Sequence, residues 1–148
     1  MFEEMRYIEL SGEKYPIKCD LLVLEKIQDE FGDVADFENR MTGFEPKMDE
    51  DGEPVKSKDG RLIGYYKTPN VKVLSKALVW MIEEGIAIQK ERGEKAQELE
   101  RDTLLRKVDV SPRELGEMLQ KEFARCFERK NKETTQGETT EENQEIAE

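Results

Sequence analysis

The sequence contains no histidine, the side chain most used as a general base near neutral pH and the commonest metal ligand. It has no GxxxxGK[ST], GxGxxG or GxSxG pattern, so neither a phosphate-cradling loop nor a nucleophile elbow is written into it. No apolar run approaches the roughly 18 residues that a membrane helix needs, which argues against a membrane protein. The opening MFEEM carries acids where a secretory signal would have a basic region. There are only two cysteines, Cys19 and Cys126, far apart and outside any CxxC pattern; they read as small buried thiols in a reducing compartment rather than as a disulfide. Catalysis therefore has few footholds: no cofactor is expected, and an enzyme working through carboxylates would need a positioned pair that no pattern singles out.

Charge is what the sequence has in plenty. Charged residues make up 40% and apolar residues 36% of 148, against norms of about 25% and roughly 45–50%. Part of this is local. Residues 131–148 hold six glutamates against Lys132, with Ile146 as the only large apolar side chain, so they carry −5 of the net −11. Such a stretch cannot bury enough surface to offset its ordering entropy and reads as a disordered acidic polar tail. Residues 1–130 are left as a single globular domain. The overall negative field repels phosphate backbones and argues against nucleic-acid binding as the main task.

Tyr7-Ile8-Glu9-Leu10 and Tyr15-Pro16-Ile17-Lys18-Cys19 alternate around Ser11-Gly12-Glu13-Lys14 and predict an N-terminal hairpin. Pro16, with no N–H to donate, places its strand at an edge. Asp20 caps a helix that runs to about Phe31, with Gly32 as the stop. Leu21, Leu22, Val23, Leu24, Ile27 and Phe31 give it a face wide enough for a central helix. A shorter helix follows over Val34 to Met41.

Residues 43–68 contain four glycines, two prolines and the cluster Asp49-Glu50-Asp51-Gly52. A calcium loop would need an acid two positions before Asp49, where Lys47 sits, so the cluster reads as a solvated loop. A second hairpin is expected between Val55-Lys56-Ser57 and Leu62-Ile63-Gly64-Tyr65-Tyr66. Connections this long are usually functional or mobile, and this one is read as a contact arm.

Thr68 as cap and Pro69 in the first turn open a long helix. Val71, Leu74, Ala77, Leu78, Met81, Ile82, Gly85 and Ile88 form its core stripe. Val73, Trp80 and Ala87, seven apart, lie on roughly the opposite side. Two readings of that seam stand open: Trp80 is covered by the second hairpin with Tyr65 and Tyr66, or the seam is a face for self-association or a partner. After a charged, partly helical connection, Ser111-Pro112-Arg113-Glu114 starts the last helix with a capping box. Its face carries Leu115, Met118, Leu119, Phe123, Cys126 and Phe127. Core packing explains most of it, while Phe123 and Phe127 are candidates to receive a partner. A helix-turn-helix reading of this segment fails for want of a second recognition helix, and its terminal cations complement the helix dipole.

The fold class that follows is mainly α with small β-hairpins (α+β): three to five helices packed with an N-terminal hairpin. The run from Tyr7 to Gly32, with Lys76-Ala77-Leu78-Val79-Trp80-Met81-Ile82-Glu83-Glu84-Gly85 and Ser111-Pro112-Arg113-Glu114-Leu115-Gly116, resembles the tail assembly chaperones of long-tailed phages and prophages of Gram-positive bacteria. The resemblance spans residues 6 to about 130 and rests on packing patterns. It implies a non-catalytic factor in the cytoplasm of the host bacterium, missing from the mature virion. Such a factor coats the tape-measure protein and assists tail-tube assembly, reaching the tail tube protein through a longer frameshift product. Arg129-Lys130-Asn131 can be encoded AGA-AAA-AAC, which contains the slippery run A-AAA-AAC. The alternative is a small acidic adaptor or inhibitor of another phage or bacterial regulatory system, masking a basic surface.

Overall fold

The computed structural model describes residues 4–128; the acidic segment 131–148 lies outside them. Strands β1 (Arg6–Leu10) and β2 (Glu13–Ile17) form an antiparallel hairpin in which Leu10 pairs with Glu13 and Arg6 with Ile17. The turn is shorter than the sequence suggested. Only Ser11 and Gly12 lie outside the strands, both with positive φ (50° and 80°), as a two-residue turn matched to strand twist requires. Asp109 and Lys107 hold this turn: the Ser11 N–H donates to Asp109 Oδ2 (3.1 Å) and the Ser11 hydroxyl to the Lys107 carbonyl (2.7 Å).

Helices α1 (Leu21–Phe31) and α2 (Val34–Thr42) follow directly. Asp20 and Asp33 each accept a backbone N–H from the first turn, from Val23 and Ala35. The expectation that α1 is the central helix does not hold. Only Val23 and Ile27 are buried, and Leu21 remains 73% exposed. The central element is α3 (Val71–Glu91), whose buried positions, among them Val73, Leu74, Ala77, Leu78, Val79, Met81, Ile82 and Ile86, cover most of its circumference. Its cap is Asn70, accepting from the Val73 N–H at 3.1 Å, rather than Thr68. The lead-in is tied to the end of α2, through Lys67 N–H to Gly43 O and Asn70 N–H to Arg40 O (both 2.9 Å), and this moves the helix start beyond Pro69.

Close approach fixes how the elements meet. A Cβ on Gly85 would stand 2.6 Å from the carbonyl carbon and oxygen of Pro16, so β2 lies directly on the α3 backbone there. Lys18 N–H donates to the Met81 carbonyl (3.0 Å), covering the outer edge of the hairpin with a helix. A Cβ on Gly116 would likewise stand 2.6 Å from the Met41 carbonyl oxygen, where α5 (Pro112–Arg125) crosses α2. The capping box of α5 is present as expected, with the Ser111 hydroxyl and the Glu114 side chain exchanging bonds with each other's backbone. A short helix α4 (Arg101–Arg106) lies in the charged connection and buries Leu104. Among the described residues, five helices and an N-terminal hairpin thus make a small α+β fold.

Candidate partner-binding surface

The segment between α2 and α3 is an arm. Strand β3 (Phe44–Pro46) pairs with β4 (Gly64–Tyr66), Phe44 opposite Tyr66. The expected pairing of 55–57 with 62–66 is realised only as a bridge between Lys56 and Leu62, because β4 takes residues 44–46 as its partner. Above that pairing, three backbone bonds close a ring: Lys47 N–H to Ile63 O, Ile63 N–H to Val55 O, and Val55 N–H to Lys47 O, at 2.8, 2.9 and 2.8 Å. Three short chain segments are thereby joined at one point without a core. The acidic cluster serves this geometry, since Asp49 Oδ1 accepts from the N–H groups of Asp51 and Glu53 (2.9 Å each) and closes the first turn.

This construction leaves large apolar side chains in solvent. Met48, Leu62, Ile63, Tyr65 and Tyr66 are all exposed, Tyr66 at 58%. The length of the segment and its four glycines and two prolines, the signal that marked the arm in the sequence, leave it too rich in turns to bury them. Its root is held by charge and rings. Tyr65 OH donates to Glu45 Oε2 (3.0 Å) and Lys67 Nζ pairs with Glu45 Oε1 (2.5 Å). The Lys67 ammonium, followed by the Tyr65 hydroxyl, draws the Glu45 carboxyl below its usual range. Phe44 meets Tyr66 edge-on (5.4 Å), and the Arg113 guanidinium of α5 lies 5.6 Å from the Tyr66 ring. Beside them a groove of about 660 Å³ runs between the arm, α2 and α5, lined by Glu38, Phe44, Leu62, Tyr66, Arg113 and Lys121 among others.

The seam of Val73, Trp80 and Ala87 does not form one surface. Val73 is 1% exposed in the core, Trp80 is half-buried, and Ala87 is exposed. Trp80 is covered, but by α1 and not by the second hairpin. Phe31 packs on it at 6.2 Å, and the same helix contributes Glu30, paired to Lys76 at 2.7 Å. Lys76 itself lies 5.7 Å from the indole. Phe123 is likewise core, 1% exposed, so of the α5 pair only Phe127 reaches solvent. The physical reason is the packing around them: α1, α2 and α5 all pack against α3, enclosing Val73 and partly covering Trp80 while Ala87 stays in solvent. Five rings run through this junction, Trp80 to Phe31, Phe37, Phe123 and Phe127, with successive centroids 6.2, 5.2, 6.3 and 5.3 Å apart.

One polar residue of this core escaped the sequence reading. Glu122, 5% exposed, accepts from the Cys19 N–H (Oε2, 3.2 Å) and from Arg125 (Oε1, 2.8 Å). Its position between Leu119 and Cys126 on the apolar face was the available signal. Among the described residues, no group of three or more His, Cys, Asp or Glu is placed to hold a metal ion. None of their helices is long and apolar enough to cross a membrane. No family model, curated protein or solved structure matches this chain.

Proposed function

We propose that this chain is a non-catalytic assembly factor that binds another polypeptide, acting as a tail assembly chaperone of a long-tailed phage or prophage in the host cytoplasm. The observation that carries the reading is the arm, with Met48, Leu62, Ile63, Tyr65 and Tyr66 clustered outside any core. Contiguous exposed apolar surface on a small protein marks an interaction site. Its surroundings of mixed charge suit reversible capture of an amphipathic helix, apolar stripe inward. The long helical tape-measure protein is the partner this favours. The tail tube protein would be reached through a longer frameshift product, and self-association through the same apolar surface is a further contact to measure.

The test is co-expression with the long helical protein encoded by a neighbouring gene. That protein is expected to stay soluble and co-purify with this chain, and to be lost when Met48, Leu62 and Ile63 are replaced together by serine. The triple variant should melt like the parent, since all three side chains are exposed. If the long protein stays insoluble and unbound with the unaltered chain present, the reading is wrong. The gene supplies a second check: a slippery run at Arg129-Lys130-Asn131, or elsewhere near the end of the frame, is required for the two-product version.

A further inference from the structure

The two cysteines, remote in sequence, meet in the fold. Cys19 lies between β2 and α1, is 2% exposed, and donates its backbone N–H to Glu122 of α5 (3.2 Å). Cys126, half-buried, follows the last residue of α5, one helical turn beyond Glu122 and on the same side. The anchored Glu122 thus sets the end of α5 against the β2–α1 junction and makes the two thiols neighbours, each acting on the other's titration. Both are free thiols in this state.

We propose that Cys19 and Cys126 are a redox modification site, closing into a reversible intramolecular disulfide when the chain meets a low-molecular-weight disulfide such as oxidised glutathione. Cys126 is the first to react because it is the one reached by solvent. Its thiolate attacks the glutathione disulfide, forming a mixed disulfide and expelling one glutathione thiolate. Cys19 then gives up its proton and attacks the Cys126 sulfur, expelling the second glutathione thiolate. Two protein thiols are oxidised, one disulfide is reduced, and the two protons leave with the two glutathione thiols. Burial pushes the Cys19 thiol up, and pushes the Cys126 thiol up as well, while the neighbouring Cys19 thiol favours the Cys126 thiolate. This supports the same order of events and makes ring closure the slow step.

The bond would join the β2–α1 junction to the end of α5 and fix the residue after Cys126, Phe127. Closing so long a loop constrains the unfolded chain strongly, and a rise in Tm of roughly 10 °C is expected. The experiment treats the full native chain at pH 8 with oxidised glutathione or with dithiothreitol, followed by intact mass, thiol titration, peptide mapping and thermal unfolding. The expected product has lost two hydrogens and both thiols, yields one Cys19–Cys126 cross-linked peptide, melts higher, and reverts with dithiothreitol. Cys126→Ser, at a half-exposed position, should fold, form no cross-link and melt alike under both treatments. A lasting glutathione adduct on Cys126 beside a free Cys19 would overturn the proposal. So would disulfide-linked dimers, or thiols that react only after unfolding in urea.

Discussion

Gly85 of α3 and Pro16 of β2 touch backbone to backbone, with no room for a methyl group between them: an added Cβ would lie 2.6 Å from the proline carbonyl. The contact decides where the hairpin sits, because Lys18 N–H reaches the Met81 carbonyl only at that distance. Gly85→Ala improves helix propensity, yet it is expected to destabilise the fold by about 2 kcal/mol through overpacking against rigid backbone. Urea denaturation measures this, and an unchanged or higher midpoint would show that the hairpin is free to shift.

Glu84 carries the pH dependence expected near neutrality. Burial, followed by a proton shared with the Asp20 carboxyl and the negative charge of Asp20, raises it from the ordinary 4.5 to about 7. The folded chain then holds a proton that the unfolded chain releases near 4.5. This contribution is fully present below pH 4.5 and is lost as pH rises through 7, so stability falls between those values. Glu84 is only partly buried and water still screens it, which limits the effect to ~1 kcal/mol. With no histidine in the chain, no other side chain ordinarily titrates in this window. Glu13, Glu45, Asp59 and Glu100 are shifted downward and act at lower pH. Tm measured from pH 5 to 8 should decline for the parent and stay flat for Glu84→Gln; a parent Tm that climbs with pH would refute the assignment.

Glu122 joins three elements through one carboxylate. Glu122→Ala leaves the Cys19 N–H without its buried acceptor, takes one partner from Arg125, and is expected to cost about 2 kcal/mol. Glu122→Gln keeps the shape and one acceptor and should cost clearly less. Chemical denaturation of the two variants side by side separates them; equal losses would mean that packing, not charge, holds the junction.

The α5 phenylalanines should divide cleanly. Phe123→Ala opens a cavity beside Phe37 and is expected to cost roughly 4 kcal/mol. Phe127→Ala, at a position 60% exposed, should cost under about 1 kcal/mol. The fluorescence of Trp80, packed on Phe31 in the same run of rings, reports both melts. A large loss at Phe127 would show that its contact with Phe123 is structural.

Local chemistry was readable wherever a residue acts on its own neighbours. Asp20 and Ser111 cap helices through bonds spanning three residues, and Gly32 stops α1 with φ of 85°. Thr68 misled because Thr-Pro and Pro-Asn are both acceptable helix starts, and only the backbone bonds from Lys67 and Asn70 to the end of α2 select the second. The pairing of β3 with β4 was hidden because three residues after a helix cap carry no strand pattern of their own. Exposure was the weakest inference. Leu21 and Leu22 share the periodicity of a central helix yet face solvent, whereas Val73 and Phe123, offered as surface, are enclosed.

The order of caps, turns and amphipathic stretches, and with it the α+β class, follows from the sequence alone, since each depends on interactions within a turn or two. Which helix is central, which side of α3 is covered, where the buried Glu122 points and that Cys19 meets Cys126 were decided by tertiary packing. Periodicity states that a face is apolar; only the positions of neighbouring elements, set by close contacts such as Gly85 on Pro16 and Gly116 on Met41, state what that face touches.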